Sequence, residues 1–397
     1  MVTESGESGR MRHLFLLDPD IVFLNHGSFG ACPREVLETY QAWQLELERN
    51  PVEFLGRRSA SLLADARRAL GDFVGASASD IVFVPNATHA VNTVARSLAF
   101  DPGDEILTSD HEYGACDNTW SFVCERTGAK LVRAEIPLPF RAEEFTERIW
   151  SRVTPRTRLI FLSHITSATA LVFPIAELCA RAREAGILTL IDGAHAPGQV
   201  DLDLDTLGAD FYTGNCHKWL CAPKGSAFLH ARPERQALLH AQVVSWGYSA
   251  SIEGHTGYTG ETEFERRMQW QGTRDLAAFL SVPAALAFQA RSRWSGVRRR
   301  CHALAAEALR EVCARFGTEP PCSAADFAQM VCLPVPSQNP ETLRAALFDD
   351  HRIEVPVTTH GGRTFVRISV QGYNTEQDIH RLLRALGSLI PGVSMRR

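Results

Sequence analysis

Two short segments at the ends of apolar runs carry the residues best suited to chemistry: Ile191-Asp192-Gly193-Ala194-His195 and Thr213-Gly214-Asn215-Cys216-His217-Lys218-Trp219. A carboxylate and a lysine at successive strand ends, about one α/β unit apart, supply an amine that can bond an aldehyde and an acid that can keep a pyridine nitrogen protonated. Those are the two requirements of a pyridoxal cofactor. Each residue alone has a plainer reading, since an Asp after a strand is often a helix cap and a lone Lys a solvated tip. The conjunction carries the signal. A phosphate is best held at a helix N-terminus, where backbone N–H groups and the helix dipole both favour an anion. Asn86-Ala87-Thr88-His89, directly after the apolar run ending at Val84, supplies such a turn, with Thr88 offering a hydroxyl and a helix cap.

The elements that must position these residues read as alternating strands and helices. Short apolar runs at 81–84, 105–108, 130–134, 159–163, 187–191, 211–213 and 227–230 predict seven strands. Helical periodicity at 88–98, 116–126, 142–150 and 175–184 lies between them, the pattern of a parallel sheet covered on both faces. Amphipathic helices are expected at 34–49 and 58–73. After Asp275 come a long helix at 277–290 and an Arg- and Ala-rich helix at 291–316. A β, α, β, β, α series follows at 329–334, 342–349, 352–357, 364–370 and 375–386, which predicts a small α+β domain. Ligands of such sheets bind beyond the carboxyl ends of the strands.

A chain of 397 residues implies two domains, or one large domain with a satellite, and its 45% apolar and 22% charged content is that of a globular protein. A net charge of -5 without long blocks of like charge lacks the footprint of a nucleic-acid or anionic-membrane binder, leaving small-molecule chemistry. Residues 1–12 are polar and hold no signal-like apolar run, and no stretch approaches the roughly 18 apolar residues of a membrane span. A cytoplasmic address is expected. The ten cysteines form no C-x2-C pairs, so reduced thiols rather than a metal centre are expected.

Asp192-x-x-His195 followed by His217-Lys218 resembles the class V aminotransferase family of pyridoxal enzymes, the group that contains the cysteine desulfurases. Four further segments resemble its isopenicillin N epimerase-like subgroup, so that the likeness runs from about 23 to about 386. They are Asn25-His26-Gly27-Ser28-Phe29-Gly30, Pro51-x-x-Phe54, His217-Lys218-Trp219-Leu220-x-Ala222-Pro223-Lys224-Gly225 and Gln271-Gly272-Thr273-Arg274-Asp275. The resemblance implies pyridoxal 5'-phosphate and fold type I: a mostly parallel seven-stranded sheet sandwiched by helices, with a smaller C-terminal α+β domain. Its division would be 1–30 folding over the site, 31–276 binding the cofactor, and 277–397 forming the connecting helix and small domain.

Carried over by position, Lys218 forms the Schiff base and moves the Cα proton, and Asp192 pairs with the pyridine nitrogen. His195 meets the phenolic oxygen. Ser167 departs from the desulfurase Asn near that oxygen, implying a shorter, weaker hydrogen bond. Tyr113 stacks on the ring, its plainer reading being a half-buried aromatic at a helix start. Ala87, Thr88, Asn215 and His217 cup the phosphate, joined by Gly272 and Thr273 of the other subunit, so a homodimer with shared sites is implied. Arg367 offers a bidentate donor to the substrate α-carboxylate, a structural salt bridge being the alternative. Asn25, His26 and Ser28 lie on the segment that folds over the cofactor and touches substrate.

The cofactor alone leaves the reaction open. Residues 355–364 read V-P-V-T-T-H-G-G-R-T and hold no thiol to carry a persulfide, while Cys322 and Cys332 fall too early and read as core. Two reactions of an amino-acid substrate remain: epimerisation at Cα, which needs a second proton carrier opposite Lys218 (Tyr113 or one of His26, His111 and His360), and C–S β-lysis, which lysine alone could run. A cofactor-binding regulator that has lost catalysis would lack the Lys or Asp or carry a DNA-binding domain, and the chain shows neither feature.

Overall fold

The structure, a computed structural model, describes residues 11–249 and 260–390. Seven strands form one sheet: β1 (Ile81–Val84), β2 (Glu105–Ser109), β3 (Lys130–Ala134), β4 (Thr157–Ser163), β5 (Leu188–Asp192), β6 (Phe211–Asn215) and β7 (Ala227–Ala231). Their order is β1-β7-β6-β5-β4-β2-β3. The strands from β6 to β3 are parallel, whereas β7 runs antiparallel to both its neighbours. Successive residues of one strand face opposite cores, as a period of two demands. Ile81, Phe83, Ile160, Leu162 and Ile191 point into one apolar cluster, and Val82, Val84, Leu159, Phe161 and Leu190 into the other. Burial on both faces is why these segments read as continuous apolar runs rather than as alternation.

Apart from the short helix Glu263–Gln269, which the sequence pattern did not mark, the helices that clad the sheet follow that pattern closely. They are α1 (Arg34–Arg49), α2 (Ser59–Val74), α3 (Ala87–Ser97), α4 (Gly114–Thr127), α5 (Ala142–Trp150), α6 (Ile175–Glu184), α7 (Glu263–Gln269), α8 (Val282–Arg291) and α9 (Trp294–Phe316). Helices α3 and α4 pack Val91, Val94, Trp120 and Val123 on one face. The other face is covered by α2, α6 and α8, through Leu63, Leu70, Leu178 and Phe288. The expected helix at 277–290 breaks at Ser281: Ala277–Leu280 is a separate turn, and Pro283 stands in the first turn of α8, where its missing N–H costs nothing.

The smaller C-terminal domain holds β8 (Met330–Val335), α10 (Pro340–Asp349), β9 (Val357–His360), β10 (Arg363–Ser369) and α11 (Glu376–Leu389), with the antiparallel order β9-β10-β8. The strand expected at 352–357 divides around Pro356, which has no N–H for a ladder. Ile353–Glu354 instead pairs in parallel with Val22–Phe23, and Pro356 O accepts from Arg367 N. Ser369 N donates to Leu24 O at 2.7 Å. The N-terminal segment is thereby stitched to the small domain just before Asn25. Among the described residues no helix is long and apolar enough to cross a membrane.

Candidate active site

The carboxyl ends of β4, β5 and β6 meet the N-terminus of α3 around a cavity of about 370 Å³. Ser28, Ala87, Thr88, Tyr113, Ser167, Asp192, His195, Asn215, His217 and Lys218 all line it. Arg367 reaches its edge from β10: Nη2 donates to Ser28 Oγ at 3.1 Å, and Nη1 to the Ser167 carbonyl and, at 3.3 Å, to its Oγ. Phe29, Pro85, Asn86, Ser163, Ile165, Ala194 and Gly225 complete the wall.

Lys218 is half-buried in the wall of the cavity, and its Nζ lies 3.1 Å from His195 Nε2. Burial disfavours the ammonium and, with Arg367 nearby, holds Lys218 down at about 8, against the attraction of Asp192. The amine is therefore neutral in a minority of molecules near pH 7, far more than an ordinary lysine, and in most of them above about pH 8. Asp192 accepts from Ala194 N at 2.9 Å and from the Cys116 thiol at 3.5 Å, while burial raises its pKa. A cationic ring nitrogen placed against it would supply the missing counter-charge. His195 is pushed well below the ordinary imidazole range by burial and by the charges of Lys218 and Arg367.

The turn entering α3 is capped twice. Asn86 Oδ1 accepts from His89 N at 2.8 Å, and Asn215 Oδ1 accepts from Ala87 N at 2.9 Å. His217 Nδ1 donates to Ser226 O, which leaves Nε2 as the free position of a neutral ring. Thr88, His217 and the start of α3 form a cup suited to a phosphate.

One buried carboxyl had no assigned role in the sequence reading. Glu112 accepts from Ser109 Oγ at 2.6 Å, from Ser163 Oγ at 2.6 Å and from Ser163 N at 2.8 Å, tying the ends of β2 and β4 together. Burial outweighs these hydrogen bonds and raises its pKa to about 8. Its successor Tyr113, 47% exposed, is thereby held at the cavity mouth. The partners of Glu112 are three residues before it and on another strand, so no local motif marks it.

Four expected site residues lie off the cavity. His26 is fully buried: Nε2 donates to Lys218 O at 3.0 Å, and Nδ1 accepts from Tyr373 OH at 2.9 Å. Asn25 accepts from Ser28 Oγ at 2.6 Å and donates to Glu354. Gly272 and Thr273 are not among the lining residues of this chain. The turn ending in Gly30 nevertheless bears on Lys218. Gly30 has φ +72°, and a Cβ there would come 2.1 Å from His217 O and 3.0 Å from Lys218 Cα, so this position accepts only glycine.

His111 and His360 are also off the cavity. Their ring centroids lie 3.8 Å apart with the planes tilted by 34°, and Asp110 is 3.7 Å from each. His111 Nε2 donates to Ile136 O, and Nδ1 accepts from Thr169 Oγ1.

An amine, a buried acid, an anion cup and a buried arginine around one cavity match the aldehyde, ring nitrogen and phosphate of pyridoxal phosphate and the carboxylate of an amino acid. Arg367 Nε is buried with no hydrogen-bond partner among the described residues, a guanidinium N–H still to be satisfied beside the cavity residues Ser28 and Ser167. The aminotransferase class-V family model matches residues 22–382. Isopenicillin N epimerase of Streptomyces clavuligerus is 39% identical over 96% of this chain and 97% of its own length. A probable chloroplastic L-cysteine desulfhydrase of Arabidopsis thaliana is 32% identical over 94% of this chain and 84% of its own. Among solved structures, a cysteine desulfurase of Thermococcus onnurineus superposes with a TM-score of 0.80 at 22% identity, covering 96% of this chain and 97% of that one. The cystine C-S lyase C-DES does so at 0.80 and 23%, covering 94% and 99%, and both likenesses establish the fold. The chain belongs to the aminotransferase class-V family and is an enzyme that uses pyridoxal 5'-phosphate.

Proposed function

We propose that the enzyme removes the Cα proton of an amino-acid substrate and returns it on the opposite face, as an epimerase. The observation that supports this reading is that Lys218 and Asp192 line one cavity whose wall residues Ser28 and Ser167 are bonded by the buried Arg367, the three coming from separate segments. Pyridoxal phosphate, when bound, withdraws the electron pair released as the proton leaves Cα. Arg367 holds the substrate carboxylate with its free N–H edge, while Ser28 and Ser167 fix the guanidinium. Asp192 keeps the ring nitrogen protonated. Lys218 bonds the cofactor at rest and carries the proton at Cα, a task suited to an amine held at about 8. With the cofactor bound, His195 would face its phenolic oxygen, Ala87, Thr88, Asn215 and His217 would hold its phosphate, and Tyr113 would cover its ring.

Inversion needs a second proton carrier. Of the four candidates, His26 and His111 have both ring nitrogens engaged within the protein, and His360 does not line the cavity. Tyr113 does, and we assign its hydroxyl this role. The lining residues include no cysteine, and Cys332 Sγ points to Ala168 O, so a persulfide route has no thiol. A C–S β-lyase reading draws support from the desulfhydrase relatives, but the epimerases match at higher identity over more of their own length. The enzyme acts as a homodimer in which Gly272 and Thr273 complete the partner's phosphate site. Exposed Phe29, Val243, Val244, Trp246 and Tyr248 provide apolar surface for that contact. Ten free thiols suit a reducing, cytoplasmic compartment.

Tyr113→Phe separates the two proton transfers. With an L substrate in D2O, the variant should keep Cα hydrogen exchange within about threefold of wild type while D-isomer formation falls by on the order of 10²-fold, the usual weight of a general acid. Equal loss of both would remove Tyr113 from the second proton step, and no loss of either would do the same.

A further inference from the structure

Lys218 is followed by a tryptophan whose indole is fully buried behind the cavity wall. Trp219 Nε1 donates to His195 Nδ1 at 3.3 Å. An indole N–H is a donor only, so His195 Nδ1 must present a bare lone pair, and the neutral ring carries its proton on Nε2. That nitrogen lines the cavity 3.1 Å from Lys218 Nζ.

We infer that Trp219 is a positioning residue that locks His195 in its Nε2–H tautomer, so that the cavity side of the imidazole always donates a hydrogen bond. The inference rests on the reading of Lys218 as the cofactor lysine. In the free enzyme the Nε2–H points at the lone pair of the Lys218 amine once that amine is neutral, above about pH 8. With the cofactor bound, the same N–H is available to the phenolic oxygen. A ring free to take the other tautomer would instead turn a lone pair toward that oxygen and repel it.

The surroundings keep His195 neutral, so tautomer rather than charge is the variable. Lys218 and His217 face it from the β6 turn, Arg367 faces it from β10, and the buried ring has little water to stabilise a cation. The Trp219 ring has little freedom to withdraw. Its backbone carbonyl accepts from Gln289 Nε2 at 2.7 Å, and its ring packs against His26 with centroids 5.0 Å apart. A Cβ on Gly27 would come 3.4 Å from Trp219 Cζ2, and 2.8 Å from both Met330 Sδ and Ser369 Oγ. His26 thus braces the Trp219 ring while its Nε2–H holds the Lys218 carbonyl. One short N-terminal turn fixes both the lysine backbone and the residue that sets the tautomer.

The test is ¹⁵N-histidine NMR of the holoenzyme, with the His195 signals assigned by their loss in His195→Gln. The wild type should show a protonated Nε2 and a bare Nδ1. Trp219→Phe, which keeps an aromatic ring but removes the N–H together with the pyrrole part of the indole, should populate the Nδ1–H form. It should also shift the pH midpoint of the cofactor's visible band by roughly half to one unit, as loss of a hydrogen bond to the charged form does. An Nδ1–H tautomer in the wild type overturns the inference, even if Trp219→Phe fails to fold. So does a folded Trp219→Phe enzyme whose tautomer or band midpoint is unchanged. Mass spectrometry of the borohydride-reduced holoenzyme tests the underlying reading separately: a cofactor attached to a lysine other than Lys218 refutes that reading and leaves the tautomer result standing.

Discussion

Lys218→Ala should abolish covalent attachment of the cofactor, and borohydride reduction should label no other lysine. Loss of the proton carrier alone lowers turnover by on the order of 10²–10⁴-fold, and loss of the covalent anchor adds to it. The size of the effect follows from the place of Lys218, whose Nζ meets His195 in the cavity and which no other lysine accompanies among the lining residues. A pH signature accompanies it. The amine must be neutral to attack an aldehyde, and Lys218 is held at about 8. Capture of added pyridoxal phosphate by the apoenzyme should therefore fall about tenfold per pH unit on the acid side of that value and level off above it. A lysine at its ordinary value would keep climbing for more than two further units. Stopped-flow absorbance across this range, with Lys218→Ala as the blank, distinguishes the two.

Arg367→Leu carries the second large effect. A buried guanidinium with one unpaired N–H and two serine partners is built to receive a carboxylate, and removing such a partner costs about 2–5 kcal/mol. The value of kcat/KM should fall by roughly 10²–10³-fold for the amino acid while cofactor binding is retained. Arg367→Lys keeps the charge but loses the planar fork, so it restores only part of the loss. Substrates whose α-carboxylate is converted to an amide should lose little further activity on changing Arg367 to Leu. An equal penalty for acid and amide would mean that Arg367 only supports the fold.

The chemistry was most legible where one short stretch of chain holds several functional groups. Asp192, His195, Asn215, His217 and Lys218 lie at the ends of adjacent strands, and their sheet order puts those ends side by side. Strand positions were legible because burial on both faces leaves an uninterrupted apolar run. What escaped the sequence depends on contacts between distant segments. Asn25-His26 reads as a motif beside the substrate, yet the fold turns His26 inward to the Lys218 carbonyl and Tyr373, 347 residues away. Glu112 shows no local sign of being buried, because Ser163, which satisfies one of its oxygens, comes 51 residues later. The break at Ser281 was hidden by an Ala-rich pattern that suits a continuous helix, although Pro283 marks a new N-terminus. Trp219 stands beside Lys218 in the chain, but only the fold brings its N–H to His195.

The central claim is that proton removal at Cα leads to inversion. Proton NMR in D2O tests it most directly, with the pyridoxal-loaded enzyme incubated separately with isopenicillin N, L-cysteine and L-cysteine sulfoxides. The account predicts loss of the Cα–H signal with an intact carbon skeleton and a growing D-configured product. Pyruvate and ammonia without any D-isomer would contradict it and identify the enzyme as a C–S lyase.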